Sequence, residues 1–255
     1  MKKIGSVLGI LVLSCLLFSN LTFAHFPDPA EHVLHEEKFI AFSSEFAEFN
    51  YAGYQGSYSR NAFVIKLPLI DRLSLRAEVP FIILRRDSKS FAGLGDIIPG
   101  ITAEVFHTEK IHLNINGFFE TPTGLHKDGI GAGHLSFISA FDIGYEINET
   151  HLFHGGVDVV TGLSEHDEED AAPSLVHPHS EPEILLHLGN NIKLSESLSF
   201  GGGFVDEFNQ KEQKHYMSCL GSLLIGRKNP ISVNLRLPLR ENNRLNWSIN
   251  LRLTI

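Results

Sequence analysis

The sequence predicts an all-β protein, a single antiparallel up-and-down transmembrane β-barrel of about twelve strands. Three observations support this fold class. Apolar and polar residues alternate along many segments, polar turns separate these segments, and the 255 residues include 22 glycines and 19 phenylalanines but only one Trp and two Met. Alternation places apolar side chains on one face of a strand and polar side chains on the other. Such a strand suits a wall between lipid and water.

We expect the strands to follow residue 38 in unbroken succession. An even number of strands places both ends of the barrel sequence on the same side, and the last strand can then pair with the first. The twelve predicted strands lie near residues 39–48, 59–68, 73–82, 95–106, 111–121, 134–146, 152–163, 183–194, 197–206, 215–226, 230–239 and 245–254.

The lengths of the connections alternate between short polar turns and longer segments rich in charge or glycine. This pattern is typical of barrels with short periplasmic turns and longer external loops. A soluble β-sandwich, the competing architecture, has no reason to sort its loops in this way. The predicted long loops are residues 50–57, 85–92, 122–133, 164–182 and 207–214, while 240–244 is short on the same side.

Residues 1–24 have the features of a secretory signal peptide: a positive start, a short apolar run and small residues before Ala24. The apolar run is shorter than the roughly 20 residues that a membrane-spanning helix needs. We therefore expect a signal peptide over 1–24, a polar N-terminal segment over 25–38 and the barrel over 39–255. Cleavage after Ala24 would leave a single cysteine, Cys219, and so no intrachain disulfide.

The strand faces predict a set of charged side chains inside the barrel. A charge that faces a wet lumen keeps its hydration, whereas an unpaired charge in a sandwich core is costly. Two interpretations remain open, since these residues could pair with one another and fill the lumen, or they could select the solute. The lumen candidates are Arg76, Glu78, Glu104, Glu120, Asp142, Asp158, Arg236 and Arg252.

Two glycine-containing motifs carry a family resemblance. Residues 93–96, Gly-Leu-Gly-Asp, open a predicted strand, and residues 120–124, Glu-Thr-Pro-Thr-Gly, precede a glycine-rich loop. Together they resemble the family called "MetA-pathway of phenol degradation", most clearly over residues 59–146. The resemblance implies an exported barrel that transports small molecules, hydrophobic or aromatic ones among them, across the outer membrane. It supplies no catalytic residues.

Histidines suggest a metal site in two places. His166, His177 and His179 lie in the acidic segment 164–182, and His25 would carry a free amine after cleavage. Imidazole, amine and carboxylate groups are ligands for Zn or Cu. A solvated acidic loop explains the segment equally well, and the spacing fits no compact metal-site pattern. We therefore expect no resident cofactor.

His134 and Ser136 resemble the His-x-Ser pair of outer-membrane phospholipase A, in which a base activates a serine nucleophile. Alternation directs both side chains toward the lumen, away from lipid, and no Asn follows Ser136 to complete that enzyme's pattern. We therefore expect a protein that is not an enzyme.

The sequence as a whole favours a porin-like transporter in the outer membrane of a Gram-negative bacterium, with passive passage of small solutes. Its expected partners are membrane lipid, lipopolysaccharide and the solute. The formal net charge of -9 argues against nucleic acid. The first alternative is a closed barrel whose His-rich acidic loop binds a metal or a partner, and the second is an outer-membrane lipid hydrolase.

Overall fold

The computed structural model describes residues 38–51, 53–163, 183–226, 229–239 and 245–255. The predicted signal peptide and nearly all of the polar segment 25–38 lie outside these ranges. The strands are β1 (Phe39–Tyr51), β2 (Tyr54–Ile70), β3 (Leu73–Arg86), β4 (Lys89–Leu94), β5 (Ile98–His107), β6 (Ile111–Glu120), β7 (Ser136–Asn148), β8 (His151–Gly162), β9 (Glu183–Ser195), β10 (Leu198–Asn209), β11 (Lys214–Ile225), β12 (Ile231–Pro238) and β13 (Leu245–Thr254).

The strands form one closed antiparallel barrel. Neighbours along the chain pair with each other, except β4 and β5, and β13 pairs with β1, which closes the ring of strands. β4 and β5 pair with successive parts of β3 and together make one interrupted strand. The thirteen strands therefore occupy twelve positions around the barrel. The predicted fold class is confirmed.

Side chains alternate between the lumen and the outer surface on every long strand. On β3, Arg76 and Glu78 point inward and are buried, whereas Val79 and Phe81 point outward and are exposed. Large apolar side chains are exposed on the outer face all around the barrel, with Phe63 at 59% as an example. Water would solvate such a continuous apolar surface poorly, and acyl chains solvate it well.

The two ends of the barrel differ in their connections. At one end, which we call the turn end, β2–β3, β5–β6, β7–β8 and β9–β10 are joined by two or three residues each. At the other, the loop end, residues 121–135 join β6 to β7 and include a 3-10 turn at His126–Asp128. The predicted loop 164–182 lies outside the described residues; the strands on either side of it, β8 and β9, end and begin at the loop end. Among the described residues there is no helix long and apolar enough to cross a bilayer.

Two of the predicted long loops are wrong. Residues 50–57 and 85–92 are mostly strand, because β1 and β2 are separated by two residues and so are β3 and β4. Asp87 (φ 48°) and Ser88 (φ 64°) both adopt the left-handed conformation that a two-residue hairpin turn needs to match the strand twist. The predicted strand 95–106 likewise begins later, at Ile98, because the chain breaks from the sheet between β4 and β5.

Candidate functional site: the lumen and its inserted loop

The lumen carries all eight of the charged residues proposed from the sequence. Seven are buried, and the Glu104 side chain is 28% exposed near the turn end. The seven buried residues are Arg76, Glu78, Glu120, Asp142, Asp158, Arg236 and Arg252.

The buried arginines all lie on one side of the lumen, whereas buried acids occur on both sides. The buried arginines lie on β2, β3, β12 and β13, which are adjacent around the barrel through β1; they are Arg60, Arg76, Arg236 and Arg252. The facing wall, β6 to β9, buries no Arg or Lys within the described part of the chain. Its buried acids are Glu120, Asp142, Asp158 and Glu183. The wall from β6 to β9 therefore carries buried acids without a buried Arg or Lys beside them among the described residues.

On the arginine wall, the cations are held by neighbouring acids. Arg60 forms a buried ion pair with Glu78, and Arg236 forms one with Glu207. Arg76 Nη2 lies 3.9 Å from Glu78 Oε2. A buried charge is costly unless it is paired. The ion pairs therefore stabilise these arginines and hold their guanidinium groups beside the acids.

Two lumen arginines also lie over aromatic rings. Arg76 Cζ is 5.6 Å from the centre of the Phe118 ring, and Arg252 Cζ is 4.9 Å from that of Phe39. These are cation–π distances, so each ring stabilises the cation and restricts where the guanidinium can move.

The acidic wall is organised by contacts between β6, β7 and β9. Asp142 Oδ1 lies 3.0 Å from His187 Nε2, and Asn116 Nδ2 donates a hydrogen bond of 2.6 Å to Asp142 Oδ2. Neither carboxylate oxygen of Asp158 has a hydrogen-bond donor within the described structure.

Water reaches the lumen unevenly. Most inward side chains are buried, which a wide aqueous pore would not allow, so the lumen is narrow over most of its length. Toward the turn end, Lys66, Thr102, Asn114 and Glu146 are partly exposed, and this end of the lumen forms a vestibule.

A histidine cluster lies at the rim of this vestibule. His107 Nδ1 is 2.6 Å from Glu104 Oε1 and 3.1 Å from His112 Nδ1. Glu146 Oε1 is 3.8 Å from His112 Nε2. We call Glu104, His107 and His112 the rim cluster. Its donor atoms converge as metal ligands do, but all three side chains are partly or fully exposed to solvent.

The β6–β7 loop, residues 121–135, enters the lumen from the loop end. Ile130 is fully buried in an apolar cluster with inward-facing side chains of the first three strands. We call this cluster the apolar collar; its members are Ala47, Phe49, Tyr58, Ile82, Leu84 and Ile130. The collar narrows the lumen between the loop end and the charged region.

Asp96 holds the loop in this position. The side chain is fully buried at the break between β4 and β5, and its carboxylate accepts hydrogen bonds from the backbone N–H groups of Gly124 (2.7 Å) and Ala132. Because Asp96 lies on the barrel wall and both donors lie in the loop, the carboxylate ties the loop to the wall. We call this contact the Asp96 latch.

Side chains of the second motif complete the latch. Thr121 Oγ1 donates a 2.8 Å hydrogen bond to the Ile97 carbonyl, and Ile97 N donates to Thr123 Oγ1 at 2.9 Å. The two motifs that carried the family resemblance therefore contact each other across the break in the strand.

Glycine is required on the loop side of the latch. A Cβ on Gly124 would lie 2.9 Å from Asp96 Oδ1, and one on Gly131 would lie 2.7 Å from the same atom. Any larger residue would push the carboxylate away from the loop N–H groups.

His134 and Ser136 both face the lumen and are buried. His134 Nδ1 lies 3.1 Å from the Ala132 carbonyl, and Ser136 Oγ has no hydrogen-bond partner among the described residues. The contact between base and nucleophile that a hydrolase needs is therefore not made in this structure.

The metal ligands proposed from the sequence, His25, His166, His177 and His179, lie outside the described residues, and binding there stays a prediction. Conversely, several lumen groups were not singled out from the sequence, although strand alternation alone would have placed them inward. These residues are Glu45, Arg60, Glu183, His187 and Glu207.

No family model and no curated protein matches the chain, so membership of the MetA-pathway family stays a prediction. The fold is similar to that of the COG4313 outer membrane channel from Pseudomonas putida F1, with a TM-score of 0.72, 15% identity, and coverage of 90% of this chain and 99% of that one. It is also similar to the KdgM porin (TM-score 0.52, 6% identity, 85% and 96% coverage) and the NanC porin (0.52, 6%, 84% and 97%). At these identities the likeness shows a shared fold.

Proposed function

We propose that this protein is an outer-membrane channel through which small solutes pass passively. One observation supports the proposal above all: a closed barrel exposes apolar side chains outward and buries charged side chains around a narrow lumen. The similar folds named above are called a channel and porins. On this proposal the turn end faces the periplasm, and the loop end lies in the lipopolysaccharide leaflet.

Two zones in series would set the selectivity of this channel. A solute from outside first meets the apolar collar around Ile130 and then the charged region, where arginines face acids. The collar favours an apolar body and the charged region favours a polar or ionised group. We propose that the solutes are small molecules that combine both, such as an aromatic ring with one charged group. This proposal retains the aromatic solutes that the family resemblance implied.

A liposome-swelling experiment tests the channel directly. Purified protein is reconstituted into vesicles, and swelling is followed in isosmotic glycine, phenylalanine, benzoate or sucrose. We expect the first three to enter faster than into protein-free vesicles, with benzoate and phenylalanine favoured relative to their size, and sucrose to be excluded. Folded barrels in the vesicles that admit none of these solutes would refute the proposal.

The burial of the lumen side chains favours one competing function, a closed barrel that serves as a scaffold. The same experiment distinguishes the two, since a closed barrel leaves the vesicles as impermeable as controls. Ile130→Ala shortens the one collar side chain that the loop supplies. It should accelerate swelling in a channel and have no effect in a sealed scaffold.

A further inference from the structure

Three potential metal ligands meet deep in the acidic wall. Asp142, Gly156 and His187 are cross-strand partners in one row over β7, β8 and β9, and Asp158 lies two residues farther along β8 on the same face. One ligand atom from each of Asp142, Asp158 and His187 lies within 4.8 Å of the others. All three side chains are buried, with residue exposures of 0%, 0% and 8%.

The surroundings of the Asp158 carboxylate favour a bound cation. Its carboxylate is fully buried, neither of its oxygens has a hydrogen-bond donor within the described structure, and a second carboxylate, that of Asp142, is within reach. Burying one carboxylate without donors is unfavourable, and placing another beside it is more so. No arginine or lysine is buried on β6 to β9 to compensate within the described residues. A bound cation would compensate both carboxylates.

The surrounding residues let the three side chains approach one another and orient their ligand atoms. A Cβ on Gly156 would collide with His187 Nε2 and stand 2.7 Å from Asp142 Oδ1, so only glycine lets these groups approach. Asn116 holds the second oxygen of Asp142 through its 2.6 Å hydrogen bond, which turns Oδ1 toward His187. Such outer contacts are typical of metal sites.

We infer that Asp142, Asp158 and His187 bind a divalent transition-metal cation, with Zn²⁺ as the best match. Carboxylate oxygen and imidazole nitrogen are zinc ligands, whereas Ca²⁺ and Mg²⁺ prefer oxygen alone. Two ligands of a tetrahedral zinc ion are about 3.4 Å apart, and Asp142 Oδ1 and His187 Nε2 are 3.0 Å apart. A small movement of Asp158 would complete a three-residue site. The cation would cross-link β7, β8 and β9, and this role does not depend on solute passage.

Zinc titration of the full-length protein in detergent, after chelator treatment, tests the inference. Binding is measured by calorimetry, and zinc content by elemental analysis after gel filtration. We expect one tight site in the wild type, at least a tenfold loss of affinity in Asp158→Asn, and the same loss in His187→Gln. The matched control changes the rim cluster by His107→Gln and His112→Gln and should retain the tight site.

A measurement on the wild type avoids the question of whether variants fold. X-ray absorption at the zinc edge should report one imidazole and at least two oxygen ligands. A site with several imidazoles would overturn the inference, because it would place the zinc at the rim cluster or in the His-rich segment. Tight binding that Asp158→Asn leaves unchanged would also overturn the inference. The absence of tight binding in the wild type would overturn it too, and would mean that protons neutralise the carboxylates.

Discussion

The Asp96 latch makes the sharpest prediction, because one side chain ties the inserted loop to the barrel wall. Asp96→Ala removes the acceptor of two backbone hydrogen bonds while leaving the strands on either side intact. A hydrogen bond to a charged group contributes about 1.5–3 kcal/mol, so the pair contributes about 3–6 kcal/mol to the inserted position.

We expect the variant to lose less than this full free energy, since the freed N–H groups of Gly124 and Ala132 can bind water once the loop moves. The bonds made by Thr121 and Thr123 also remain. Taking the lower value of about 3 kcal/mol, the population with a released loop rises about 100-fold. Because the loop carries Ile130 into the collar, release should widen the lumen.

Solute influx into vesicles and single-channel conductance measure this change. Asp96→Ala should raise both, and Asp96→Asn should fall between the variant and the wild type because it keeps one acceptor oxygen. The matched control is Thr108→Ala at the turn end. Thr108 Oγ1 also accepts two backbone N–H groups, those of Lys110 and Ile111, but lies far from the collar. A folded Asp96→Ala barrel as permeable as wild type and Thr108→Ala would refute the latch.

Three further predictions concern the loop, the lumen and the lipid face. Gly124→Ala should increase permeability as Asp96→Ala does. Gly117→Ala should not, because its Cβ would make ordinary contacts, with Phe137 at 3.5 Å and Ile101 at 4.0 Å. Equal influx through both variants would contradict the steric argument. Glu78→Gln leaves its partner arginine buried and should lower the free energy of unfolding in urea by about 3–5 kcal/mol, and an unchanged transition would count against a paired lumen. Phe63→Arg, at a side chain 59% exposed on the outer face, should cost up to about 4 kcal/mol in folding into vesicles, and full folding yield would argue that this face does not meet lipid.

Strand alternation explains why so much of the barrel could be predicted. A period of two fixes the face of every side chain once the strand is located, so residues as distant as Arg76 and Arg252 could both be assigned to the inner face, and both are buried. The predicted pairing of the last strand with the first is also seen, since β1 and β13 pair over Ala41 to Phe49 with one register shift between Glu48 and Phe49.

The latch could not be predicted, because nothing local encodes it. Asp96 and its donors Gly124 and Ala132 are 28 and 36 residues apart along the chain. The glycine-rich sequence indicated a loop but not that the loop turns into the lumen, which depends on Ile130 finding apolar neighbours on three other strands.

The hairpin between β3 and β4 was missed for a different reason. Its turn residues, Asp87 and Ser88, lack the glycine that usually marks a left-handed two-residue turn, and charged neighbours made the segment resemble a loop. The grouping of Asp142, Asp158 and His187 was likewise not predicted, since the three residues come from three strands and share no sequence spacing.

The central claim is that the outer face of every strand is in contact with acyl chains while the inner face lines a lumen. The single tryptophan of the chain, Trp247, tests it without any substitution, because it lies on β13 in the outward-facing series with Leu251 and Leu253. Its fluorescence should be strongly quenched by lipids brominated near the top of the acyl chain and weakly by aqueous iodide. Efficient quenching by iodide with none by brominated lipid would contradict the claim.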